Sequence, residues 1–73
     1  MQPVYNFEVP LCRSLKIRPE TARRYRGLKV LVADAQTIDG RPLYLADAAN
    51  LERHKEAIRR HRARIARARN NLI

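Results

Sequence analysis

Cysteine occurs once in the 73 residues, phenylalanine once, tryptophan not at all and glycine twice, and only seven residues are acidic. The single Cys12 closes no disulfide within the chain and gives zinc no cysteine pair, so a reducing compartment is predicted and the thiol is most simply a small buried hydrophobe. No apolar run approaches the ~20 residues that cross a bilayer, and the first residues show no charged region leading into an apolar core, which predicts neither a spanning segment nor a secretion signal. A chain this short forms one domain that buries only about 60% of its unfolded surface, which argues against a large enclosed active site.

Catalytic constellations are missing as well. His54 and His61 stand too far apart along one helix to share a metal, since two ligands there need a spacing of about three or four, and no cysteine or aspartate joins them. Ser14 has no neighbouring histidine, and Asp34 and Asp39 fall in a hairpin without a cofactor loop. Both histidines read as surface residues. No catalytic or metal-binding residue is assigned, no cofactor is implied, and enzymatic activity is not expected.

Positive charge is what the chain has in excess: sixteen Lys and Arg bring the net charge to +9. That balance favours a polyanion over a small acidic substrate, with nucleic acid as the first partner and a membrane surface as the second. The stretch from Ile17 to Gly27 organises this charge. Proline loses nothing at a first helical position, and glycine accepts the left-handed conformation that ends a helix, so Pro19 and Gly27 bracket about two turns. On the helical period Ala22, Tyr25 and Arg26 fall toward one side, while Thr21, Arg24 and, at the flank, Glu20 and Arg23 look the other way. Before it, Pro10–Leu15 makes a short first helix with Leu11, Cys12 and Leu15 on one face, and Lys16-Ile17-Arg18 forms the turn between the two. This is helix-turn-helix spacing. Residues 1–9 alternate apolar and polar from Val4 onward, predicting an extended lead-in, with Phe7 packed against the first helix.

After Gly27, the branched run Leu28–Ala33 and the run Leu43–Leu45 read as two strands of a hairpin whose turn is Asp39-Gly40. Pro42 places the second strand at an edge or begins it there. From Ala46 to about Asn70 no Pro or Gly interrupts a helix-forming composition, which predicts one long helix, part of it projecting beyond the core. Tyr44, Leu51, Ile58, Ile65 and Leu72 recur at heptad spacing, but Asp47, His54 and His61 occupy most half-step positions, so only half of a coiled-coil seam is present. Leu51 and Ile58 are expected to pack back on the helix-turn-helix. Ile65 and Leu72 suit either a dimer contact or a frayed end, the latter being the simpler reading. The run Arg59–Arg69 carries no acid, which is costly for a helix unless a polyanion neutralises it. A solubilising tail or an RNA-binding helix would show the same run.

Taken in order, Ile17, Pro19, Thr21, Ala22, Arg23, Arg24 and Tyr25, then Gly40, Arg41, Leu43, Tyr44, Asp47 and Leu51, resemble the MerR-like winged helix-turn-helix family, which includes MerR-type regulators and excisionase-like phage and mobile-element proteins. The resemblance covers roughly residues 7–58. It departs at Lys16, where the family commonly has Gly, and at Arg24, where it commonly has an aromatic residue. It implies an α+β, mostly α fold: a winged helix-turn-helix domain over residues 1–60 with a two-stranded wing, followed by a basic helical extension over 61–73. Its implied partner is double-stranded DNA, bound through Arg18, Thr21, Arg23 and Arg24 at the major groove or its flanking phosphates and Arg41 on the wing. The charge run adds Arg59, Arg60, Arg62 and Arg64. The implied role is a transcriptional regulator or an excisionase-type architectural factor in the cytoplasm, at a bacterial nucleoid or in a phage-infected cell. A homo-oligomer on DNA stays open, and neither a membrane nor a small-molecule effector is implied. The competing class is an RNA-binding or protein-interaction module that uses the basic C-terminal helix.

Overall fold

A computed structural model describes residues 4–70. Two short helices come first, α1 over Glu8–Leu15 and α2 over Pro19–Gly27, joined by the expected three-residue turn. Both begin with residues that suit a helix start: Glu8 and Glu20 place carboxylates at the positive end, and Pro19 supplies a preset φ. Helix α1 begins earlier than the sequence suggests. Pro10 lies in its first turn, where a missing N–H leaves no bond unmade.

Both helices end the same way, on a lysine in the left-handed conformation: Lys16 at φ 57 and Lys29 at φ 61. Lys16 N–H donates to Arg13 O at 3.3 Å and Ile17 N–H to Cys12 O at 3.1 Å. After α2, Lys29 N–H donates to Arg26 O at 3.1 Å and Val30 N–H to Tyr25 O at 2.8 Å. These paired bonds form a Schellman termination, in which an apolar residue follows the left-handed one. Gly27 therefore does not supply the left-handed residue; it stays in the last turn of α2, and Lys29 takes that part. A side chain at positive φ is strained where glycine is not, so Lys16→Gly is expected to raise stability by about 1 kcal/mol in urea unfolding.

The second Schellman turn also explains why Leu28–Ala33 is not a strand. Its first amides are taken by helix carbonyls, and the segment drops Leu31 into the core at 1% exposure while Leu28 and Val32 face solvent. The hairpin consists instead of β2, Ala35–Gln36, and β3, Pro42–Leu45, antiparallel with Ala35 opposite Leu43. A third strand, β1 over Tyr5–Asn6, comes from the extended lead-in and pairs with the other side of β3, so the two-stranded hairpin is part of a three-stranded sheet in the order β1-β3-β2. Pro42 begins its strand, as its missing donor requires. Phe7, expected to pack against the first helix, is instead half exposed at the N-cap of α1 and takes no part in the core.

The long helix α3 runs Ala48–Asn70. Asp47 lies just outside and caps it, its Oδ1 accepting the Asn50 N–H at 2.6 Å. Leu11 and Cys12 of α1, Ala22 and Tyr25 of α2, Leu31, Tyr44 of β3 and Ile58 of α3 form the core, with Leu15, Ile17 and Leu51 packed against it. Burial, and then the nearby Glu8, pushes the Cys12 thiol up, which suits an inert apolar role. At about 1.5 Å per residue α3 is about 34 Å long, and it gives the molecule a long axis of 51 Å against 25 and 17 Å. Ile65 is 40% exposed on the projecting half, and Leu72 lies outside the described residues.

Candidate nucleic-acid interface

Helix α2 turns Ala22 and Tyr25 inward and leaves Arg18, Glu20, Arg23 and Arg24 exposed, with Thr21 half-buried at the flank. Arg26 is drawn the other way. Its Nη1 donates to both carboxylate oxygens of Glu8 at 3.0 Å, and Tyr44 Oη donates to Glu8 Oε1 at 3.0 Å, which fixes α2 against α1 and β3. Tyr25 then joins the outer face of α2 to the basic half of α3. The Arg24 guanidinium lies 5.9 Å from its ring centroid, the His61 ring meets it edge-on at 5.4 Å, and Arg62 Nε donates to its hydroxyl at 3.4 Å. Sequence spacing placed Arg24 and Arg62 in separate parts of the chain; folding brings them to one tyrosine.

Arg41 is exposed at the far end of the hairpin, 3.4 Å from Asp39 in an ion pair open to solvent, which costs little to release. Between the hairpin and the end of α2 runs a groove of about 500 Å³, lined by Arg26 and Lys29 on the helix side and by Gln36, Gly40 and Pro42 on the hairpin side. A second groove, of about 600 Å³, lies against α3 and is lined by Lys29, Arg60, Arg64 and Arg67. Lys29 belongs to both and links the hairpin to the arginine-rich helix. It was missed from the sequence because Leu28–Ala33 read as a strand. The usable signal was an apolar residue, Val30, directly after a polar one at the end of α2.

The charge of α3 is not uniform. Glu56 pairs with both Arg59 and Arg60, so the first two arginines of the run carry a compensation that Arg59–Arg69 itself does not contain. Arg53 and Lys55 are likewise paired, with Asp34 and Glu52. Among the described residues Arg13 and Lys16 at the end of α1, and Arg18, Arg23, Arg24, Lys29, Arg62, Arg64, Arg67 and Arg69, have no ion pair. Uncompensated cations are thus concentrated on the end of α1, on α2 and its terminating turn, and on the projecting half of α3, which is the distribution a polyanion would neutralise.

A buried polar cluster fixes the root of α3. Asp34, just before β2, is its centre: its Oδ2 accepts Leu45 N–H at 3.0 Å and Asn50 Nδ2 at 2.9 Å, and its Oδ1 accepts Arg53 Nη2 at 2.7 Å. Asn50 Nδ2 also meets Leu45 O at 3.0 Å and His54 Nε2 at 3.2 Å. His54 is buried at 3% exposure, contrary to its reading as a surface residue, because Asn50 gives its ring a partner and the Tyr44 ring covers it edge-on at 5.6 Å.

Burial, then the Arg53 charge, lowers the His54 pKa against an opposing pull from Asp34. For Asp34, burial pushes upward, but the hydrogen bonds from Leu45, Asn50 and Arg53 outweigh it and the net shift is downward. Both groups bind fewer protons folded than unfolded, so their contribution is complete above the unfolded values and falls with pH. For His54 the loss sets in as pH drops through its usual 6.5, and for Asp34 through 3.8. Unfolding free energies from urea titrations are therefore expected to fall between pH 8 and pH 5, by at most about 1.4 kcal/mol per pH unit for this one histidine. His54→Gln should flatten that change.

No protein-family model, no curated protein and no solved structure matches the chain. Among the described residues no helix is long and apolar enough to cross a membrane.

Proposed function

We propose that the chain is a small winged helix-turn-helix protein that binds double-stranded DNA, as a transcriptional regulator or an excisionase-type architectural factor. In this reading α2 enters the major groove, the β2–β3 hairpin is the wing, and the projecting half of α3 follows the phosphates. The observation that carries it is the set of exposed guanidinium groups without an acidic partner on the outer face of α2, Arg18, Arg23 and Arg24. A nine-residue helix packed on its back by Ala22 and Tyr25 presents that face as a unit. Arginine suits phosphate and guanine edges through its planar fork of donors. The left-handed Lys16 stands where the family that the sequence resembles commonly has Gly, so the turn keeps the geometry that glycine would give it. Lys29 joins Arg41 and the arginines as a phosphate contact.

Competition tests this assignment against RNA. A labelled mixed-sequence duplex bound at moderate salt is challenged with unlabelled duplex or with structured RNA of equal length. Duplex should displace the label at much lower concentration. Equal or better displacement by RNA would reject the DNA assignment in favour of the RNA-binding class.

A further inference from the structure

We propose that Ile38, at the tip of the β2–β3 hairpin, is an apolar wedge that enters the minor groove of duplex DNA and unstacks a base step. The inference rests on the duplex reading above. Ile38 is 109% exposed, so its side chain makes no burying contact within the fold. A single exposed aliphatic is ordinary on a protein surface; its support here is not. Thr37 N–H donates to Arg41 O at 2.9 Å, Gly40 N–H to Thr37 O at 3.0 Å, and Arg41 N–H to Thr37 Oγ1 at 2.9 Å. The Thr37 hydroxyl donates to the Asp39 carboxylate, and Gly40, at φ +88, supplies the turn that an L side chain would strain. The isoleucine is therefore held out on a closed, hydrogen-bonded loop, and little further ordering is needed when it meets a partner.

What stands around it selects the partner. Arg41 emerges from the same loop, its solvent-open pair with Asp39 at 3.4 Å being one that a phosphate can replace at little cost, and the flank of the hairpin borders the groove that holds Arg26 and Lys29. Arginine is attracted to the strong negative potential of a narrow minor groove, and branched or linear apolar side chains inserted beside it part neighbouring base pairs and kink the duplex. Arg41 and Ile38 then do separate things: the first responds to salt, and the second depends on apolar contact and on how readily the step unstacks. A chain of net charge +9 is ill suited to offering this tip to a basic protein partner, whereas DNA matches both the charge and the wedge.

The test uses an alternating A–T duplex with 2-aminopurine in place of one adenine, because TA steps unstack readily and the analogue brightens when unstacked. Anisotropy of an end label on the same samples reports binding independently. The bound parent should raise the 2-aminopurine emission. Ile38→Ala should bind roughly tenfold more weakly, its lost apolar contact being partly offset by the unstacking it no longer causes. It should keep the parent's salt dependence and leave the emission at the level of free duplex, and Ile38→Leu should restore both affinity and emission. The wedge is overturned if bound Ile38→Ala brightens the probe as the parent does, or if the parent binds without brightening it. Failure of the parent to bind at all removes the duplex reading and the wedge together. Pelleting with phosphatidylserine vesicles that depends on Ile38, without brightening of the duplex, would assign the tip to a lipid surface and also overturn the proposal.

Discussion

Tyr44→Ala should leave the chain largely unfolded at 25 °C. Tyr44 is completely buried, its ring packs edge-on against His54, and its hydroxyl donates to Glu8, which also holds Arg26. One side chain thus ties β3 to α1, to α2 through the Glu8 carboxylate, and to α3. Removing a buried aromatic ring costs about 3–5 kcal/mol, comparable with the whole stability of a domain this small. Tyr44→Phe keeps the ring and loses only the donor to Glu8, which retains Arg26, so it should cost about 1–1.5 kcal/mol. Burial, then the hydrogen bond to Glu8, holds the phenol far above its usual pKa, so the ring should resist alkaline titration until the fold opens. Circular dichroism melts of the three proteins check the order. A Tyr44→Ala protein melting with the parent would show that the core is centred elsewhere.

The second large effect comes from stopping the chain after His61, which removes Arg62, Arg64, Arg67 and Arg69. Each phosphate neutralised on duplex DNA contributes about −0.9 to the slope of log affinity against log salt, so the truncation should flatten that slope by up to about 3.6. Between 50 and 200 mM salt the parent would then lose about a hundredfold more affinity than the truncated chain. The oligomeric state should not change. A seam between two copies would need the half-step positions of α3, but His54 is spent in the Asp34–Asn50 cluster and His61 on Tyr25, which leaves Ile65 without an apolar neighbour in register. Sedimentation at moderate salt decides between the two: a stable dimer that dissociates on truncation would turn the arm into an assembly element.

The parts of this molecule that were legible are those set by local punctuation. Pro19 starts α2, Asp39-Gly40 turns the hairpin, and the absence of Pro and Gly after Asp47 lets α3 run to Asn70. Ala22 and Tyr25 were placed inward by period alone, and Leu11 and Cys12 likewise. Misread residues depend on partners distant in sequence or on backbone bonds that side chains do not announce. Leu28–Ala33 looks like a strand until its amides are seen to be used by the carbonyls of α2. His54 looks exposed because polar heptad positions usually are, and nothing local shows that Asn50 and Asp34 will satisfy it. For the candidate interface, the arginines of α2 could be read from helical period. Their meeting with Arg62 at Tyr25, and the position of Lys29 between two grooves, could not, since both require the tertiary fold.

If the outer face of α2 reads a duplex while its neighbours hold the backbone, as proposed, one set of binding titrations will show it. Parent, Thr21→Ala, Arg23→Ala, Arg24→Ala and Arg41→Ala are each titrated into the duplex that the parent selects from a random pool, into single-base variants of it and into random duplex. Arg24→Ala and Thr21→Ala should change which base is preferred at particular positions, by about 1–3 kcal/mol where a bidentate contact is lost. Arg23→Ala and Arg41→Ala should weaken all the duplexes alike and reduce the salt slope by about one each. Four variants that bind selected and random duplex as the parent does would contradict the claim.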